Sequence, residues 1–148
     1  MTSESPLLDS LNLVVSDMEE TLAFYRLLGV EIPAEGVWRT DTGAHHVEVS
    51  MPGGIDLDFD SVDLAKRYNE GWQRPEGGSA SVVGFKVASR EAVDACYARL
   101  TEAGHTGLQK PYDAFWGARY AIVEDPDGRD IGIMSPSDPN RRTSPPEV

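Results

Sequence analysis

The chain has 148 residues, 40% of them hydrophobic and 26% charged, which is typical of one globular domain and excludes a disordered or membrane-embedded composition. Its formal net charge of −12, from 25 acidic and 13 basic side chains, disfavours nucleic acid and anionic membranes as partners. A neutral or cationic small molecule suits this charge better. Cys96 is the only cysteine, so the sequence excludes an intrachain disulfide and a cysteine-based zinc cluster.

Terminal and apolar segments of the sequence bear on the cellular location of the protein and on the flexibility of its C-terminal tail. The first ten residues lack the basic and apolar regions of a signal peptide, and no apolar stretch approaches the ~20 residues that a membrane span needs. We therefore expect a cytoplasmic protein. Residues 137–148 are polar and rich in proline, which predicts a flexible tail.

A strand and a helix open the chain. Alternating apolar residues predict a strand over 11–15, and an apolar stripe predicts a helix over Met18–Leu28. Ser16 is the predicted cap of this helix, and Glu19 completes the spacing of a capping box. Gly29 fits the left-handed position that ends a helix.

The same pattern recurs 72 residues later. Ser89 is placed to cap a second helix, whose apolar stripe includes Cys96 and which Gly104 ends. Tyr97 on this stripe takes the place of Tyr25 on the first one. The matched cap, tyrosine and terminal glycine argue for an internal repeat. Both tyrosines and the cysteine are predicted to lie in the core.

Three short strands are predicted to follow each helix. Turn residues bound the six segments, which are 37–40, 46–51, 55–60, 107–110, 119–124 and 131–135. Pro52-Gly53-Gly54 and Asp125-Pro126-Asp127-Gly128 are strong turns between strands. Each half is therefore β-α-β-β-β.

This organisation predicts an α+β fold, with two βαβββ modules whose curved mixed sheets surround a cleft. Module one spans 8–60 and module two spans 80–135. The connector at 61–79 contains a predicted short helix followed by a Glu76-Gly77-Gly78 linker. We expect a homodimer, with or without exchange of modules, because a second copy is an easy way to close such a cleft.

Several phrases of the sequence resemble the vicinal oxygen chelate superfamily, which includes glyoxalase, bleomycin resistance proteins and dioxygenases. The phrases are LNLVVSDMEETLAFYRLLGVEIP near the start and YAIVEDPDGRDIGIM near the end. The resemblance covers roughly residues 8–136 and implies one domain of this fold over 1–136. Within the superfamily, GWQRPEGG and KPYDAFWGARYAIVEDPDG are similar to the mitomycin-binding resistance protein branch. Members of that branch sequester flat aromatic drugs without chemistry.

Catalytic members of the superfamily bind a divalent metal through His, Gln or Glu side chains that face the cavity. The resemblance places these four positions on Ser10, Val82, Gly132 and the segment Asp56-Leu57-Asp58. Serine, valine and glycine lack a strong ligand atom. We therefore predict no metal, no other cofactor and no catalytic residue.

His45, His46 and Glu48 are the remaining candidates for a metal site. His46 and Glu48 share one strand face, because side chains repeat every second residue, and His105 could join them. Solvated residues on an edge strand beside a turn explain this pattern better. His105 follows a glycine that ends a helix and is predicted to be a surface residue. The sequence contains no phosphate loop, dinucleotide fingerprint or nucleophile elbow.

Aromatic residues carry the most information about a binding site. Tyr112, Phe115, Trp116 and Tyr120 lie within nine residues, and an exposed loop rarely holds that much aromatic surface without a use. The family resemblance places Trp116 and another aromatic side chain, Phe59, at the cavity. The predicted ligand-binding residues are Phe59, Trp116, Tyr112, Phe115, Trp38, Trp72, Asp58 and Arg119.

Two of these predictions leave an alternative open. Trp38 and Trp72 fit the protein core or a dimer interface as well as they fit ligand contact. The function that the sequence favours is metal-independent binding of a small planar aromatic molecule, with antibiotics among the candidates. The alternative is a metal-dependent lyase, isomerase or dioxygenase of the glyoxalase type. A metal-free enzyme that moves protons through Asp, Tyr or His is a third.

Overall fold

The computed structural model describes residues 5–41, 43–77 and 80–147 and contains two four-stranded mixed sheets. The first sheet has the strand order β1-β4-β3-β2, formed by β1 (Ser10–Val15), β2 (Val37–Arg39), β3 (His45–Ser50) and β4 (Asp56–Ser61). The second has the order β5-β8-β7-β6, formed by β5 (Val82–Lys86), β6 (Gly107–Asp113), β7 (Arg119–Glu124) and β8 (Asp130–Met134). In each sheet the first and last strands of the module pair in parallel and the other pairs are antiparallel.

In the described part of the chain, three α-helices accompany the sheets: α1 (Met18–Leu28), α2 (Val62–Tyr68) and α3 (Arg90–Glu102). Short 3-10 helices span Ala34–Gly36 and Pro139–Arg141. The predicted α+β class and the βαβββ order of each half are confirmed, and neither sheet closes into a barrel. Helix α2 is the short helix that was predicted in the connector, whereas Gly78 of the predicted linker lies outside the described residues.

The chain forms two compact units, each of which holds one sheet. The first unit contains the residues up to Leu22 together with Val30–Arg74, and the second contains Ala23–Gly29 together with the chain from Pro75 onward. The last turns of α1 thus pack within the second unit. There the Arg99 side chain donates a hydrogen bond to the Leu27 carbonyl oxygen over 2.8 Å.

The helix ends follow the predicted signals with one exception. Gly29 and Gly104 adopt the left-handed conformation, with φ of +117° and +98°, and Ser89 caps α3 by accepting from the backbone N–H of Ala92. The cap of α1, however, is Asp17 rather than Ser16. Its carboxylate accepts from the backbone N–H of Glu20 over 3.0 Å, because Asp17 is the residue directly before the first helical position.

Apolar residues on one face of each sheet form the cores of the two units. In the first sheet this face carries Leu13, Val15, Val47, Val49, Leu57 and Phe59. In the second unit Ala121, Val123, Ile131 and Ile133 of the sheet and Val93, Cys96 and Leu100 of α3 are all buried. The predicted core positions of Tyr25 and Cys96 agree with their burial, whereas Tyr97 is only half-buried.

The segment after β8 makes defined contacts within the second unit. Over residues 137–143, which we call the C-terminal strap, the backbone N–H groups of Asp138 and Thr143 donate to the carbonyl oxygens of Gly117 and Phe115. The flexibility expected for 137–148 stays a prediction. Across the described stretches of the chain, no helix has both the length and the apolar character needed to cross a membrane.

Candidate functional site

Four aromatic side chains of the second unit form a continuous group, which we call the aromatic cluster: Tyr112, Phe115, Trp116 and Tyr120. The ring centroids of Trp116 lie 5.2 Å from Phe115, 5.4 Å from Tyr120 and 6.4 Å from Tyr112, all in edge-to-face arrangements. Tyr112 and Phe115 remain 38% and 37% exposed. The cluster therefore offers open aromatic surface on a packed base, which suits stacking against a flat ligand.

The strap and a tight turn hold the central ring of the cluster in place. The turn closes through a hydrogen bond from the Ala114 N–H to the Ala118 carbonyl, at 2.8 Å. Gly117 takes a left-handed φ of +93° within it. The Ser137 hydroxyl donates to the backbone carbonyl of Trp116. These bonds fix the backbone that carries Trp116.

Tyr120 covers a position that the resemblance gives to a metal ligand. Gly132 is the residue in question, and a β-carbon on it would lie 2.8 Å from the Tyr120 hydroxyl oxygen and 3.2 Å from Cγ1 of Val82. Burial raises the pKa of Tyr120, and the neighbouring Tyr112 and Asp130 raise it further. A neutral phenol thus occupies the volume that a glutamate at residue 132 would need.

Among the described residues, two of the positions that the resemblance gives to metal ligands do not fit a divalent metal. Val82 and Gly132 carry no ligand atom on their side chains, and the Tyr120 hydroxyl lies over Gly132. In the ranges that the structure describes, no three His, Cys, Asp or Glu side chains are grouped so that they could hold a metal ion.

The first unit carries a contrasting surface on the side of its sheet that faces away from the apolar residues. We call it the polar face, and it consists of Asn12, Trp38, His46, Glu48, Asp56, Asp58 and Asp60. The strand register places these residues together, because Asn12 and Glu48 both pair with Asp58, while His46 pairs with Asp60 and Trp38.

Asp60 is the hydrogen-bonding centre of the polar face. It is only 2% exposed and accepts from the Asn12 amide at 2.6 Å and the Tyr68 hydroxyl at 3.0 Å. Nδ1 of His46 lies 2.5 Å from its other carboxylate oxygen. The pKa of Tyr68 rises to about 12 through burial and its bond to Asp60. Both oxygens of this buried carboxylate therefore have polar partners.

Asp58, beside this centre, is only partly satisfied. Its Oδ1 atom is buried and has no hydrogen-bond partner among the described residues. Burial raises the pKa of its carboxyl group, the nearby His46 opposes that rise, and Glu48 and the other aspartates add to it. Asp58 thus holds a buried acceptor atom that no described residue satisfies.

The structure brings together only part of the predicted ligand-binding set. Tyr112, Phe115 and Trp116 form the aromatic cluster. Trp38, at 52% exposed, and Asp58 lie on the polar face of the first unit. Trp72, also in the first unit, is half-buried, with the Lys66 ammonium 5.9 Å from its ring.

Two members of the predicted set do not fit a ligand site. Phe59 is 0% exposed and fills the core of the first unit, because it alternates with the outward-facing aspartates of β4. Arg119 forms ion pairs with Asp94 of α3 and Asp113. It follows from strand alternation that Arg119 and Tyr120 face opposite sides of β7.

The expectation of solvated histidines on an edge strand is also wrong. β3 lies between β4 and β2, so β2 is the edge. His45 is buried and accepts a hydrogen bond from Arg39, and burial together with this cation lowers its pKa. His105 is half-buried against the Phe24 ring, at a centroid distance of 4.8 Å.

Asn12, Tyr68 and His46 are site residues outside the predicted ligand-binding set. The signal available for them was the alternation of aspartates at 56, 58 and 60 on β4, which predicts an acidic sheet face. The partner strands, and with them Asn12 and His46, could be assigned only from the pairing register.

Comparison with known proteins agrees with this architecture. The model of the Glyoxalase/Bleomycin resistance protein/Dioxygenase superfamily matches residues 7–133, and the chain belongs to this superfamily. No curated protein matches the chain. The resemblance inferred from the sequence is therefore confirmed for the superfamily as a whole.

Solved structures share the fold at low sequence identity. A glyoxalase-related enzyme from Fulvimarina pelagi has a TM-score of 0.71 and 21% identity, with 88% of each chain covered. A glyoxalase/bleomycin resistance protein/dioxygenase from Nocardioides has a TM-score of 0.67 and 21% identity, covering 99% of this chain and 92% of that one. Hypothetical protein SA1046 from S. aureus has a TM-score of 0.66 and 19% identity, covering 90% of this chain and 96% of that one.

Proposed function

We propose that this protein binds a small, flat aromatic molecule without a metal, and that the ligand stacks on the aromatic cluster. The observation that carries the proposal is the place of Tyr120. Its phenol lies over Gly132, beside Val82, at positions where the resemblance puts metal ligands, and it continues into the rings of Trp116 and Tyr112.

Each stacked pair of rings contributes about 0.5–1.5 kcal/mol beyond the area that it buries. The resemblance to the mitomycin-binding branch supports a drug as ligand, and the net charge of −12 favours a neutral or cationic one. Sequestration of an antibiotic is the role that combines these features.

Tryptophan fluorescence tests this proposal with a panel of flat aromatic drugs that includes mitomycin C. The Trp38→Phe/Trp72→Phe double variant keeps Trp116 as its only tryptophan and should still be quenched on binding. The Trp116→Phe variant should lose most of the quenching and bind more weakly. Absence of any quenching across the panel, or equal quenching in Trp116→Phe, would count against the proposal.

A metal-dependent enzyme of the glyoxalase type is the competing function. Metal analysis of protein purified without a chelator separates the two. We expect less than stoichiometric Ni, Zn, Fe and Mn, and no rise in melting temperature when these ions are added. One bound ion per chain would favour the enzyme.

A further inference from the structure

The polar face of the first unit contains a histidine held by a buried carboxylate, and the aromatic cluster makes no use of it. Nδ1 of His46 lies 2.5 Å from Oδ1 of Asp60, and the His46 side chain is 31% exposed while that of Asp60 is 2% exposed. This is how a buried acid orients an imidazole whose other nitrogen is available to a substrate.

The hydrogen bonds around Asp60 bear on which nitrogen of His46 carries the hydrogen. The Asn12 amide and the Tyr68 hydroxyl both donate to Oδ2 of Asp60. We take Asp60 as a carboxylate that accepts on Oδ1 as it does on Oδ2, and so assign the hydrogen between it and His46 to Nδ1. A neutral imidazole with hydrogen on Nδ1 has its lone pair on Nε2, and Nε2 is then a base.

We propose that His46, positioned by Asp60, is a metal-independent general base that removes a weakly acidic hydrogen from a small, neutral, flat molecule. Nε2 of His46 accepts the proton, the electron pair stays with the substrate, and Asp60 stabilises the imidazolium that forms.

The surroundings of His46 define the class of substrate. Trp38 pairs directly with His46 across β2 and β3 and is 52% exposed, so it offers a flat ring next to the base. Glu48 and Asp58 lie on the same face and would repel an anion.

The probe for this inference is 5-nitrobenzisoxazole, a neutral flat molecule that reacts with a base in one step. The base removes the hydrogen from the ring carbon, the electrons of that C–H bond form a nitrile as the N–O bond breaks, and a coloured nitrophenolate is released. The imidazolium then returns its proton to water. No metal, oxidant or further reactant is needed.

We expect the protein to exceed free imidazole in second-order rate constant by about 10²-fold, the range of a positioned general base. His46→Gln should remove this advantage, whereas His105→Gln should leave the rate unchanged. A wild-type rate no higher than that of imidazole, or an undiminished rate in His46→Gln, would overturn the inference.

The role of Asp60 needs a measurement that a purely structural residue would not affect. Nitrogen NMR of the wild-type protein should show neutral His46 with hydrogen on Nδ1, and Asp60→Asn should change that tautomer and lower the rate at least about tenfold. If Asp60→Asn does not fold, the wild-type spectrum still decides, because hydrogen on Nε2 in neutral His46 would refute the assignment.

Discussion

The hydroxyl of Tyr120 lies over Gly132, so close that a β-carbon on residue 132 would be 2.8 Å from it. The absence of a side chain at 132 is thus what allows the phenol to pack onto β8. In this chain the aromatic cluster and the lack of a side chain at residue 132 belong to one packing arrangement.

This arrangement predicts that Gly132→Ala destabilises the protein. The new methyl group would press on the Tyr120 hydroxyl, on its Cε2 atom at 3.1 Å and on Val82. Overpacking of this kind costs about 1–3 kcal/mol in the free energy of unfolding. Urea unfolding should show the loss, and ring resonances of Tyr120 should shift.

Gly84→Ala provides the matched control. Gly84 pairs directly with Gly132 across β5 and β8, yet a β-carbon on it would meet nothing within 4 Å. The Gly84→Ala substitution should leave the free energy of unfolding unchanged or raise it slightly, because alanine restricts the unfolded chain more than glycine does. Equal losses in the two variants would show that strand conformation, rather than Tyr120, requires the glycine.

A second prediction concerns the repeated tyrosines. Tyr25 and Tyr97 hold equivalent places in the repeat, but only the Tyr25 hydroxyl donates to a buried carboxylate, that of Asp125, over 2.7 Å. Tyr25→Phe should lower the free energy of unfolding by about 1–3 kcal/mol, because it removes a donor from a buried charged acceptor.

Tyr97→Phe is the comparison, since the described residues provide no hydrogen-bond partner for the Tyr97 hydroxyl. Tyr97→Phe should change the free energy of unfolding by no more than about 0.5 kcal/mol. Chemical denaturation of both variants at neutral pH measures the difference. A loss in Tyr97→Phe as large as that in Tyr25→Phe would contradict the role of the bond to Asp125.

The same bond predicts how stability changes at alkaline pH. Burial, followed by the charge of Asp125, raises the pKa of Tyr25 above its ordinary value of 10.0. Below that value the phenol is neutral in both states and its contribution to stability is fully present. As the pH rises further, the unfolded chain ionises first, and the contribution is lost.

Urea midpoints measured from about pH 8 to about pH 11 should therefore fall at the alkaline end in the wild type. The fall should be shallower in Tyr25→Phe, which has no phenol at this position. A parallel decline in both proteins would assign the alkaline loss to other groups.

Local sequence signals predicted the elements well. The helix expected at Met18–Leu28 has those limits in the structure, because its apolar stripe ends directly before a glycine in the left-handed conformation. β3 and β4 are displaced by one residue from the predicted segments. Their ends depend on pairs such as His45 with Arg39 and Ser61 with Val15, which alternation alone does not specify.

The site was harder to predict because its contacts are long-range. Phe59 was assigned to the ligand from the family resemblance, although alternation along β4 places it opposite the aspartates and in the core. The bond between Tyr25 and Asp125 joins residues 100 positions apart, and no local pattern encodes it. His46 gained its role only through pairing with Asp60.

The last prediction tests whether the C-terminal strap supports the aromatic cluster. A β-carbon on Gly117 would lie 2.3 Å from the backbone carbonyl oxygen of Asp138, whose N–H bonds to the Gly117 carbonyl. Gly117→Ala must therefore displace the strap, in addition to placing alanine at a φ of +93°. We expect Trp116 to shift and its quenching by a bound aromatic drug to weaken.

Gly128→Ala separates strain from displacement. Gly128 has a similar φ of +85°, but a β-carbon there would come no closer than 3.7 Å to Glu124. Both substitutions place alanine in the left-handed conformation, which costs about 1–2 kcal/mol. Urea unfolding should therefore show that Gly117→Ala lowers the free energy of unfolding more than Gly128→Ala does. Drug titrations should show unchanged quenching in Gly128→Ala. If Gly117→Ala bound the drug as tightly as Gly128→Ala does, the strap would not be needed to position Trp116, because only the former requires Asp138 to move.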